Sequence, residues 1–240
     1  MERQSIRGEF YIDDHAVLFG LLCKNACEQR GEKGLMAAKN ATILYAKERG
    51  LRMAQRALAN GDPLIPKNYL AYGEWLDHKK WSQTQVESIT PEFHFSVVRC
   101  GWNDTWKKYG LEKYGIIYCS LVDKNLAFGF NPQMKLQVNA VLSPGHEKCD
   151  FHLPGADFSS EEDMMANSKK QAGMAEKTVK DFLYHTGHLL SAMRRVFYYE
   201  MGLEKGDKIV KQALQEYGEQ FGLEKTAAVI EESKQDFLEI

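Results

Sequence analysis

The chain has no CxxC pair, no HExxH motif, no internal repeat and no bilayer-length apolar run, and each absence removes a class of protein. Without CxxC there is no thioredoxin-like redox site and no zinc ribbon. Five cysteines, an odd number without a compact framework, point to reduced thiols and a cytoplasmic protein. Apolar runs such as Ala16–Cys23 are far too short to cross a membrane. The N-terminal Met1, Glu2, Arg3 and Gln4 lack the apolar core of a signal peptide. A formal net charge of −2, with no basic stretch interleaved with aromatics, gives no reason to expect a nucleic-acid partner. What remains is a soluble globular chain of 240 residues, 44% hydrophobic and 27% charged, which is enough for one large domain or two small ones. No composition shift marks a linker, so a single domain over 1–240 is expected. Its parts are a helical N-terminal stretch (1–90), an αβ core (91–154) and a helical C-terminal stretch (155–240).

Periodicity supplies the elements. Asp13 and Asp14 read as an N-cap for a helix over 15–28, with Val17, Leu18, Leu21 and Leu22 on one stripe. A second helix is predicted over 32–60, ending at Gly61 and Pro63, and a short one after Pro66. Phe93, Phe95 and Val97 alternate along a strand that ends at Cys100. Helices are predicted over 102–109 and 116–128. Met134, Leu136, Val138, Ala140 and Leu142 form a strictly alternating strand. Pro144 and Gly145 turn it into a shorter strand over 149–153, so the two should pair as a hairpin. The polar stretch 155–167 reads as a loop or lid. One long helix is predicted over 168–201, closed by Gly202, and two more over 208–221 and 225–237, split by Gly222. Together these predict an α+β fold, a small antiparallel sheet wrapped by helices.

The densest chemistry lies between Cys100 and Leu153. Cys100, Cys119 and Cys149 are spaced by 19 and 30 residues, so they can meet only as a pocket built from separate elements. Cys119 and Asp123, four apart on a helix, share a face. They could be a nucleophile and a base, or a core cysteine beside a capping carboxylate. Cys149 should face inward with Phe151, and Asp150 and His152 should face the other way. On the C-terminal helix His185 and His188 sit one turn apart among Phe182, Leu189 and Ala192. That placement suits proton transfer, a metal ligand pair or buried hydrogen-bonded rings. Packing their stripe over the hairpin would complete the site. Arg49, Arg52 and Arg56 make a basic edge, either a solvated face or a carboxylate clamp.

These residues also carry a resemblance. Tyr45 with Arg49, Gly50, Arg52 and Met53, then Cys100-Gly101-Trp102 with Trp106 and Gly110, then Cys119 with Asp123 match one family. Gly129-Phe130-Asn131-Pro132 and Gly145 followed by Cys149-Asp150-Phe151 extend the match. The pattern resembles the L-2-amino-thiazoline-4-carboxylic acid hydrolase family, most densely over 95–153. A looser likeness runs to small-molecule binding domains of the 4-vinyl reductase type. Where the family usually shows proline after the first cysteine, this chain has Gly101.

The resemblance implies a hydrolase, tied to cysteine metabolism, that acts on a non-peptide carbon–nitrogen bond of a small cyclic amidine or imide carboxylate. The expected roles are Asp123 or His185 as base, Cys119 as nucleophile or wall, His188 as acid, and Arg49 or Arg52 as carboxylate anchor. Cys100, Trp102, Asn131 and Cys149 are expected to bind substrate. No cofactor, nucleic acid or membrane partner is expected, a metal is left open and a homo-oligomer is allowed. The competing reading is a binding or sensor domain whose pocket is lined by Trp102, Trp106 and Phe130.

Overall fold

A computed structural model describes residues 6–77 and 79–239, so the N-terminal residues read above for a signal peptide lie outside them. The fold is α+β, with eight helices and one four-stranded antiparallel sheet among the described residues. The described chain gathers into two compact units, one from 6–45, 101–121 and 181–236, the other from 46–100, 122–180 and 237–239. No described helix is long and apolar enough to cross a membrane.

Helix α1 (Ile12–Ala59) contributes to both units and kinks at Gly31, whose φ of 55° is open to glycine and costly for other residues. The two predicted helices are thus one element broken where the sequence placed its gap. Asp14 is not its N-cap: its carboxylate reaches back to the Tyr11 N–H (3.0 Å) from the third helical position, as in a capping box. In the first unit the same carboxylate, fully buried, accepts from Tyr217 Oη (2.7 Å) and pairs with Lys225 (2.9 Å). The acid therefore ties α1 to the C-terminal helices α7 (Leu203–Phe221) and α8 (Leu223–Glu232). These helices are separated at Gly222, as predicted, although α8 stops at Glu232 rather than 237.

The second unit holds α2 (Pro66–Ala71) and the sheet. The strands are β1 (Gln83–Ser88), β2 (Phe93–Arg99), β3 (Gln137–Ala140) and β4 (Cys149–Leu153), in spatial order β1-β2-β4-β3. The predicted hairpin forms between β3 and β4. β3 covers only the middle of its alternating pattern, and a register irregularity between Val138 and Ala140 interrupts its ladder. β1 was not predicted. It is an edge strand of polar, exposed residues, without the alternation that a half-buried strand shows.

Across β2 and β4, Phe95 faces Phe151 with stacked rings 4.9 Å apart. With Phe93, Leu153, Phe158, Tyr69 and Met164 this apolar side forms a core. The opposite side of the sheet carries His94, Asp150 and His152.

Helix α3 (Gly101–Tyr109) begins at Gly101, so the family's usual proline would occupy a first helical position, where proline is favoured. Helix α4 (Glu112–Phe130) starts a turn before the prediction, restarting after Gly110 in its left-handed conformation. In the second unit α1 and α4 cross at Gly50 and Gly129. A methyl group on Gly50 would collide with the Leu126 carbonyl, and one on Gly129 with the Lys47 carbonyl. That close crossing fixes Arg49 relative to Asp123.

Of the loop or lid predicted over 155–167, residues 155–160 are turn and loop, and the rest is the start of α5 (Glu161–Thr178). Ser160 caps it by accepting from Asp163 N–H (3.3 Å), and Glu161, Glu162 and Asp163 complement the helix dipole. The long predicted helix is correspondingly split. α6 (Phe182–Met201) has its own N-cap, Asp181, which accepts from Tyr184 N–H (2.8 Å).

Candidate active site

In the second unit the arginines of α1 do not form a solvated edge. They surround Glu74, which is fully buried just beyond α2. Arg52 donates from Nε and Nη2 (2.9 and 2.8 Å), Arg56 from Nη1 (2.7 Å) and Arg49 from Nε (3.3 Å). Arg52 also donates from Nη1 to the Phe237 carbonyl (2.9 Å), so its fork is bound to the protein itself. The Arg49 guanidinium carbon lies over the Trp75 ring, 3.8 Å from its centre. Three guanidinium groups thus meet on one buried carboxylate.

Asp123 supplies the nearby acid. It lies deep on α4 yet keeps accessible surface. Burial pushes its pKa up to about 6, against the opposing pull of Arg49. The same field reaches Tyr69, whose hydroxyl is pushed well up by burial and then by the Asp123 charge, with Arg49 acting the other way.

Cys149, buried at the start of β4, has its thiol pushed up to about 12. Burial is the main cause, with Cys100 and Asp123 adding to it, while the Leu142 N–H donating to Sγ (3.3 Å) opposes it. Arg49, Tyr69, Cys100, Asp123 and Cys149 therefore form one electrostatically connected group. Asn131 stands apart from this chemistry: its amide donates to the Leu64 carbonyl (2.7 Å) and accepts from Gln133 N–H (2.9 Å), closing the turn after α4.

The first unit holds a different polar group. Trp102 Nε1–H donates to His15 Nδ1 (3.1 Å), which puts the His15 proton on Nε2, 2.9 Å from Tyr45 Oη. The His188 ring lies 4.7 Å from Tyr45, and Tyr118 lies edge-on to His15 at 5.7 Å. His185 and His188 are both fully buried, so their stripe faces the core of this unit. His185 packs against Tyr184 and Phe182. Cys119 lies half-buried on α4 in the same unit.

Sequence reasoning missed His15, Tyr69, Glu74 and Trp75. His15 shares a helical stripe with the fully buried Leu18 and Leu22. Glu74 is a lone acid inside the otherwise uncharged stretch Leu70–Leu76. Both patterns were readable.

Residues 12–153 match the family model described as L-2-amino-thiazoline-4-carboxylic acid hydrolase. Comparison with curated proteins and with solved structures gives no match. The matched stretch contains Arg49, Tyr69, Asp123 and Cys149, and ends with the last residue of β4. It leaves α5 to α8, with His185 and His188, outside.

Proposed function

Because the chain belongs to the L-2-amino-thiazoline-4-carboxylic acid hydrolase family, we propose that the Asp123 group hydrolyses the ring amidine of a small cyclic carboxylate of the 2-amino-thiazoline-4-carboxylate kind. The observation that carries the reading is a carboxyl whose pKa burial raises to about 6, within the field of the buried Arg49 guanidinium.

At neutral pH Asp123 is mostly ionised and can take a proton from water as that water adds to the sp² carbon of the amidine. The carbon becomes tetrahedral. The same carboxyl, now protonated, returns that proton to the ring nitrogen; the tetrahedral hydroxyl then passes its own proton through the carboxylate to the departing nitrogen as the carbon–nitrogen bond breaks and the carbonyl forms. A carboxyl near 6 serves both directions, which one held near 4 would do poorly. Arg49, seated over Trp75, is assigned to the substrate carboxylate; Arg52, bound to Glu74 and Phe237, is assigned to holding the pocket wall. Cys149 stays a thiol at working pH, so water rather than its sulfur is the nucleophile.

A non-catalytic binding domain is less well supported. Trp106 is fully buried, with its Nε1–H donated to the Ala16 carbonyl (2.8 Å), and Phe130 is packed among Met53, Ala57 and Tyr72. Both are spent on cores. The direct test is incubation of the purified chain with 2-amino-thiazoline-4-carboxylate, followed by mass spectrometry. Ring opening adds one water to the substrate mass. Recovery of unchanged substrate, with wild type and Asp123→Asn indistinguishable, contradicts the assignment.

A further inference from the structure

The polar side of the sheet carries a second constellation that the hydrolytic reading does not use. His94 on β2 and His152 on β4 are directly paired in register, and Asp150 lies two residues along β4 on the same side. The imidazoles stack at 3.9 Å. His94 Nε2–H donates to Asp150 Oδ1 (2.7 Å). His152 Nδ1–H donates to Glu92 Oε1 (2.8 Å), so that in the neutral ring Nε2 is an acceptor, and it faces Asp150 Oδ2 at 3.6 Å. Two acceptors facing each other across that gap leave room for a cation between them. One donor atom from each of His94, Asp150 and His152 lies within 4.8 Å of the others, and all three side chains keep some accessible surface.

We propose that His94, Asp150 and His152 form a binding site for a first-row divalent transition-metal ion, Zn²⁺ being the probe, which clamps β2 to β4. Two imidazoles and one carboxylate are a donor set for such ions rather than for Ca²⁺ or Mg²⁺. A tetrahedral ion with ligands at about 2.0–2.1 Å separates its ligand atoms by roughly 3.3 Å, between the 2.7 and 3.6 Å found here. Binding requires the stacked rings to turn apart and the His94 proton to pass from Nε2 to Nδ1, which frees Nε2 for the ion. The outer contacts suit the role. Glu92 holds the His152 Nδ1 proton and so presents Nε2, while Asn139 Nδ2 donates to Asp150 Oδ2 (2.9 Å) and orients the carboxylate.

The test is calorimetric titration of the chelator-treated full chain with Zn²⁺, together with side-chain ¹⁵N NMR of the histidines and a Co²⁺ absorption spectrum. The expected result is one equivalent bound, with the ring nitrogens of His94 and His152 shifted and those of other histidines unmoved. The Co²⁺ spectrum should lack a thiolate charge-transfer band. His152→Gln and Asp150→Asn should each weaken binding at least tenfold, and Glu92→Gln by about 10–100-fold. His146→Gln, in an exposed turn, should change nothing. Absence of binding, a thiolate band, or unshifted His94 and His152 signals on saturation would overturn the proposal. The NMR and Co²⁺ measurements use the wild type, so they decide the matter even if the variants fold poorly.

Discussion

The guanidinium of Arg49 lies 3.8 Å above the ring of Trp75, held there while its Nε donates to Glu74. A planar cation fixed between an aromatic face and a carboxylate loses little freedom on meeting an anion. Arg49→Lys keeps a charge near Asp123 but loses both the stack and the fork. The expected outcome is a KM for the carboxylate substrate raised at least tenfold, equivalent to about 1.4 kcal/mol, with kcat nearly unchanged. Steady-state kinetics of the purified variant check this, and an unchanged KM contradicts the anchor role.

Glu74 accepts from three arginines while fully buried. Glu74→Gln removes the negative charge those guanidinium groups share. The expected cost is about 3–5 kcal/mol of stability, read as a lower urea midpoint. A variant with wild-type stability would mean that the cluster is solvated or otherwise balanced.

Much of the architecture was legible because it rests on local signals. The β3–β4 hairpin follows from alternation and a Pro-Gly turn, and the breaks at Gly31 and Gly222 follow from glycine. β1 was not legible, since its strand character comes from pairing with β2 rather than from any apolar pattern of its own. The capping signal at Ser160 was present but masked by the acidic run, which resembles a loop. Asp123, Cys149 and Cys100, singled out from spacing, lie close enough to share one electrostatic neighbourhood. Of the two readings of the arginine edge, a carboxylate clamp is the one found, but its carboxylate is the chain's own Glu74, which lies more than twenty residues from Arg49 and Arg52 and reaches them only through tertiary packing.

Cys149 should be unreactive. With a thiol near 12, about 10⁻⁴ of it is thiolate at pH 8, so native protein should leave it unmodified by iodoacetamide while the unfolded chain is labelled. Cys149→Ser should keep activity within about tenfold of wild type. A loss of several orders of magnitude would point to sulfur rather than water as the nucleophile.

Asp123 should weaken the fold at neutral pH. Its carboxyl titrates near 6 in the folded chain and near 4 when unfolded. Above 6 both states are ionised and the folded state bears the cost of a desolvated charge. That cost fades as the pH falls from 6 towards 4, where the folded carboxyl is protonated. Asp123→Asn should therefore melt higher than wild type at pH 8, and the gain should shrink towards pH 4. Thermal melts at the two pH values check the sign.

The most direct measurement is the pH dependence of kcat/KM for 2-amino-thiazoline-4-carboxylate in wild type and Asp123→Asn. The wild-type rate should climb with pH through about 6 and then level off, as the carboxylate that removes the water proton forms. Asp123→Asn should lose that limb and fall about 10²–10⁴-fold, with its fold intact. A variant that keeps both the limb and the rate would show that another group is the base.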